Sequence, residues 1–247
     1  MLDTQEVHSF RLQCQNEQIT LIDTRGFSDS KVSDIQNLLE LSTYLSRSSL
    51  PPIHGIIFLH SIKETKFTGT AAQNLRLLQA ICGESFFAHV VLATTMWDDL
   101  PLSAEMGKFE SRERQLREDL WGSMIARGAK TAKFTGTRSS VMGIVTALLD
   151  VDYKAPQLQL QDEIERWGSL HLTSAGKVVR EKPNSLLAKV NKQLRDGSVA
   201  GDWEDAEGKE ERLELEGTRR RIMDELELLR EDLRHVDRSV EPTCHIL

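Results

Sequence analysis

The chain is 247 residues long, 39% hydrophobic and 28% charged, with a formal net charge of −7. That length supports one substantial core, or one domain with an extension. No apolar run approaches the roughly 18 residues that span a bilayer. The opening Met1-Leu2-Asp3-Thr4-Gln5-Glu6 lacks the basic and apolar regions of a secretory signal. Cys14, Cys82 and Cys244 are far apart, odd in number and without zinc or redox spacing, which points to a reduced, cytoplasmic setting. The negative charge is concentrated at one end: residues 1–201 carry 23 basic and 23 acidic side chains, and residues 202–247 carry 8 and 15. An acidic tail repels phosphates and the first part has no strong basic cluster, so a nucleic-acid partner is not expected.

In chain order, Phe10–Cys14 and Gln18–Asp23 read as two strands of a hairpin. Ser28-Asp29-Ser30 reads as an N-cap cluster. Val32, Ile35, Leu38, Leu39 and Leu41 then recur at helical spacing to about Leu45. Gly55–His60 is a continuous apolar run that suits a strand covered on both faces. A helix from about Thr70 carries Leu75, Leu77, Leu78 and Ile81 and stops at Cys82-Gly83. His89–Thr94 is the next buried strand, followed by one long charged helix, roughly Ser103 to Arg127, with Gly128 as its stop. Lys130–Phe134 is a short strand, and Thr137-Arg138-Ser139 opens a helix over Val141–Leu149. Strands alternating with helices predict an α/β sheet with parallel crossovers over residues 1–150. Beyond Asp150 no strand signal occurs. Residues 151–201 read as a helical linker region, with Asp196–Asp202 a flexible joint. In residues 202–247, Leu215, Ile222, Leu226, Leu229, Leu233, Val236 and Val240 form a heptad-like seam. A coiled coil, pairing with itself or another chain, and an amphipathic helix folded back on the domain fit that seam equally.

Three strand ends carry candidate chemistry. The first strand pair ends in Asp23-Thr24-Arg25-Gly26. A carboxylate delivered by a buried strand can hold a Mg²⁺ water, and a glycine after it lets a backbone N–H approach a terminal phosphate. The bland reading is a turn capped by Asp23. Thr95-Met96-Trp97-Asp98 ends the His89 strand. It matches the [Asn/Thr]-Lys-x-Asp pattern of guanine sites except at Met96, and its Asp accepts two hydrogen bonds that only guanine offers. The bland reading is a helix cap by Asp98 or Asp99. Gly136-Thr137 lies after the Lys130 strand, where such folds contact the base through backbone groups. Taken alone it is a strand–loop–helix junction. The seven histidines show no ligand spacing, and no Ser/His/Asp or Cys/His nucleophile stands out.

On these motifs, with Ile56–His60, Asn74-Leu75-Arg76 and Cys82-Gly83-Glu84, the chain resembles the GTPase superfamily of phosphate-loop NTPases over roughly residues 9–150. More closely, it is similar to fungal GTPase-like proteins related to the immune-associated and septin-type G domains. The resemblance implies GTP or GDP with Mg²⁺. Asp23 and Gly26 would serve the metal and γ-phosphate, Thr95 and Asp98 the base, and Gly136 and Thr137 the base-side loop. It implies a G-domain-like, mostly parallel sheet followed by a helical or coiled-coil tail.

The departures predict an impaired site. Arg25 stands where the family usually has proline, Met96 where many have lysine, and Phe27 where small GTPases carry the water-orienting glutamine. No G-x-x-x-x-G-K-[ST] loop occurs in the sequence. The first strand of that fold, which would lie between the Gln18 and Gly55 strands, is also missing. The resulting empty lane implies that the sheet closes up, that a partner fills it, or that the chain is an N-terminally truncated version of a longer protein, the reading preferred from sequence. Cys244-His245-Ile246-Leu247 fits the geranylgeranyl pattern, so a membrane partner follows only if Cys244 is prenylated.

Overall fold

A computed structural model describes residues 8–14, 17–27, 32–47, 52–64, 69–97, 106–151, 154–200, 203–230 and 244–246. The fold is α/β. Strands β1 (His8–Cys14) and β2 (Glu17–Asp23) form the expected antiparallel hairpin, with His8 opposite Asp23 and Cys14 opposite Glu17. Helix α1 (Asp34–Leu45) is capped by Ser33, whose hydroxyl accepts from the Gln36 N–H at 3.2 Å. The expected cap cluster at residues 28–30 lies outside the described residues. Strand β3 (Ile53–Ser61), helix α2 (Gly69–Cys82), a 3₁₀ turn (Glu84–His89) and strand β4 (Val90–Thr95) follow. After them come β5 (Lys130–Lys133) and α5 (Arg138–Leu149).

The single helix expected up to Arg127 is instead broken. α3 (Met106–Gln115) runs into a π turn (Leu116–Leu120), and a short α4 (Gly122–Ile125) follows. The Trp121 N–H bonds the Leu116 carbonyl at 2.8 Å, the i to i+5 bond of a π turn. Five residues span little more than one turn of that wider helix, so Leu116 and Trp121, both 1% exposed, face the core together. An unbroken α-helix would turn one of them away.

The six-stranded sheet has the order β1-β2-β6-β3-β4-β5. All pairs except β1–β2 are parallel. β4, between β3 and β5, is wholly apolar up to its terminal threonines. Val90 and Leu92 join the core under one face, while Val91 and Ala93 join the core under the other. Helix α5 covers the second face through Ile144, Val145 and Leu148, and α1 and α2 cover the first.

β6 (Cys244–Ile246) corrects the expectation that no strand follows residue 150. It lies in the lane between β2 and β3, with Cys244, His245 and Ile246 opposite Ile19, Thr20 and Leu21. On its other edge His245 faces Ile53 and Ile246 faces Gly55. The lane is therefore occupied over part of its length by the chain's own tail.

The helical part consists of α6 (Gln159–Trp167), a 3₁₀ turn (Leu170–Leu172), α7 (Ser174–Val179), α8 (Glu181–Ala200) and α9 (Ala206–Leu228). The joint expected from Asp196 is helical through Ala200. Gly197 belongs there because the Trp203 ring occupies the space a Cβ would need. α9 packs on α8 and α1. The seam residues Ile222, within α9, and Leu229, its C-cap, are buried, and the Leu229 carbonyl accepts from the His171 N–H at 2.7 Å and the Ser169 hydroxyl at 3.2 Å. Over residues 206–229 the seam is thus folded back on the domain. Leu233, Val236 and Val240 lie outside the described residues.

Candidate functional site at the carboxyl edge of the sheet

In a parallel sheet the loops after the strands gather at the carboxyl edge, where ligands of open α/β folds sit. Asp23 ends β2 at this edge, and the turn after it is held from behind by two asparagines. Asn37 of α1 donates from Nδ2 to the Gly26 carbonyl at 3.1 Å. Asn74 of α2 donates to the Phe27 carbonyl at 3.2 Å. Asn37 is buried, and its Oδ1 has no hydrogen-bond partner among the described residues. The Arg25 guanidinium turns to Glu40 at 3.3 Å. Gly26 is not demanded by packing: a Cβ there would meet nothing within 4 Å.

In front of this turn lies a cavity of about 880 Å³ between β2 and β3. It is lined by residues 23–27, by Ile56–His60, by Thr70 and Asn74 of α2, and by Ile144 and Val145 of α5. Its walls are largely aliphatic. His60 lines it too, 6.2 Å edge-on from the Trp121 ring, and burial pulls its imidazole below the ordinary 6.5 against an opposing pull from Glu64.

The other candidates end the neighbouring strands. The Thr95 hydroxyl donates to the His60 carbonyl at 3.4 Å, and Trp97 Nε1 donates to the Thr94 hydroxyl at 2.9 Å. Met96, between them, has φ 64°, the one positive φ at a non-glycine among the described residues. Side chains adopt that conformation at a cost of about 1–3 kcal/mol, and such strain clusters at functional turns. The Lys133 ammonium of β5 sits 4.3 Å from the Trp97 ring centre and 2.7 Å from Glu113. A cation therefore stands against the Trp97 ring, one residue after Met96. Spacing could not reveal it, because Lys133 arrives from the next strand. After β5, Gly136 takes φ 70°, and the Thr137 hydroxyl caps α5 by accepting from the Ser140 N–H at 3.2 Å. Asp98 lies outside the described residues.

Asp23 and Gly26 thus border the cavity, while Thr95 at the end of β4, and Gly136 and Thr137 in the turn after β5, lie outside its lining. Among the described residues no three metal-ligating side chains gather. Mg²⁺ in nucleotide sites needs only one or two carboxylates, the rest coming from phosphate and water, so Asp23 suits it. The cavity as lined offers a triphosphate little, because its walls are mostly aliphatic, its polar side chains are few and Arg25 is engaged with Glu40. No protein-family model matches the chain, and no curated protein does.

Proposed function

We propose that this chain is a GTPase-like, guanine-nucleotide-binding domain that keeps the base side of its site and has lost the phosphate side. The observation that carries this reading is the convergence of three turns on one sheet edge: Asp23–Gly26, Thr95–Trp97 with the strained Met96, and Gly136-Thr137. Supporting it is the strand order, in which an antiparallel hairpin flanks parallel strands on one side of the β6 lane. An unforced glycine at the cavity edge and a buried asparagine oxygen with no partner behind it also agree with a turn shaped for a ligand.

The aliphatic cavity supports impaired binding and impaired hydrolysis. Losing several kcal/mol of phosphate contacts is a loss of at least about a hundredfold in affinity. Calorimetric titration with GTP, GDP and ATP tests the reading. Guanine-selective binding weaker than micromolar is expected, and sub-micromolar GTP binding contradicts the loss of the phosphate side. If binding occurs, Asp98→Asn is expected to cost on the order of 2–4 kcal/mol for GTP and to favour xanthine nucleotides, whose C2 carbonyl accepts. Unchanged GTP binding in a folded Asp98→Asn protein leaves that carboxylate as a helix cap.

A second reading, a non-catalytic interaction module, is favoured by the aliphatic lining itself. The coiled-coil route to partners through residues 202–247 loses its described half to packing within the chain. Size-exclusion chromatography with light scattering at high micromolar concentration tests the remaining half. A monomer argues against homo-oligomers formed through the tail.

A further inference from the structure

The lane between β2 and β3 is filled unevenly. The tail strand pairs with Ile19–Leu21 on one side and with Ile53 and Gly55 on the other. Among the described residues, pairing on that edge of β3 stops at Gly55, whereas β3 itself continues to Ser61 and stays paired with β4 on its far edge. Among the described residues, Ile56–His60 therefore presents a strand edge about 17 Å long to the cavity. Backbone donors and acceptors along such an edge are costly to leave without partners and are a template for an added strand.

The walls fit such an addition. Leu41, Leu78 and Ile81 line the gap from one face of the sheet, and Val141, Ile144 and Val145 line it from the other. Eight large apolar side chains are exposed among the described residues, and three of them, Phe10, Leu59 and Val141, border this one gap at 56%, 59% and 39% exposure. The tail seated in the same lane shows the direction a guest would take, parallel to both neighbours.

We propose that the open half of the lane between β2 and β3 docks an extended apolar segment of a partner protein as a parallel strand. Main-chain bonds to β3 supply affinity. Because both walls are aliphatic, the guest carries aliphatic or β-branched side chains on both faces over about six residues, without proline. The guest shares the cavity that Asp23 and Gly26 border and would compete with a nucleotide there, but the proposal does not rest on nucleotide binding.

The test uses the full chain and a fluorescein-labelled peptide with a six-residue isoleucine–valine core between lysine pairs, read by anisotropy. A control peptide carries one proline in the core and the same lysines. The core peptide is expected to bind, and the control at least tenfold more weakly. Leu59→Arg, at an exposed position, is expected to weaken binding at least tenfold with thermal unfolding unchanged. Amide exchange is expected to slow within residues 56–61 on binding. No binding at 1 mM peptide overturns the proposal. So does equal binding of the proline control, or binding that leaves exchange at residues 56–61 unaltered. A dimer of the chain alone that dissociates on Leu59→Arg gives the lane to a second copy and overturns it as well.

Discussion

The two sides of the sheet differ in how completely their strands are paired. On the β4–β5 side β4 is paired along both edges, its side chains alternate between two cores, and the terminal turns are tied by Thr94, Thr137 and Ser140. On the β2–β3 side a three-residue tail strand joins the middle of β2 to the amino end of β3, and the carboxyl half of β3 borders an aliphatic cavity. The lesson is that a parallel sheet can keep a well-formed set of loops on one flank while its middle lane is only partly built.

The largest effect should come from breaking the complete side. Leu92→Ala removes a fully buried β4 side chain and should cost about 2–5 kcal/mol in urea unfolding. Leu59→Ala, at the lane, should cost less than about 0.5 kcal/mol. Equal losses would erase the distinction. Next, deleting residues 244–247 removes the tail's pairing with β2 and β3 and should cost about 1–3 kcal/mol, with faster amide exchange at Ile19–Leu21. An unchanged urea midpoint would show that the tail contributes nothing to the lane.

Smaller still is the asparagine clamp. Asn74→Ala should cost about 1 kcal/mol and speed amide exchange in the turn at Gly26 and Phe27, leaving the Gly136 turn unaffected. The smallest effect concerns pH. His89 is fully buried with Nδ1 3.0 Å from the His54 carbonyl, and burial holds its imidazole below the ordinary 6.5. The His54 and Lys130 charges push it the same way, against the backbone bond. The unfolded chain then binds the extra proton first, so stability is complete above about 6.5 and falls as pH drops toward the lowered folded value. Thermal melts at pH 7 and pH 5 should show the loss, and His89→Gln should shrink it. An equal loss in His89→Gln would assign it to other groups, His60 and His171 being lowered by burial too.

Local pattern was enough for most of the elements. β1, β2, β4 and β5 and helices α1, α2 and α5 follow directly from apolar periodicity and from stops such as Cys82-Gly83. The Asp23 turn, the Thr95 strand end and the Gly136 turn were legible for the same reason, since each is a strand followed by a helix start. The asparagine clamp was not, because Asn37 is a polar residue inside an apolar helix face and its purpose depends on a carbonyl eleven residues away.

What the sequence by itself determined is the α/β order and the positions of the three turns, both written in spacings of a few residues. Tertiary structure alone decided the rest. The π turn arises because Leu116 and Trp121 must share one core, and Gly197 stays helical because Trp203 covers it. Half the heptad seam folds inward because α1 and α8 offer it an apolar surface. The three-residue strand at Cys244–Ile246 has no periodicity to read. It exists because β2 and β3 present facing edges whose backbone groups need partners, a demand set by residues more than 180 positions earlier in the chain.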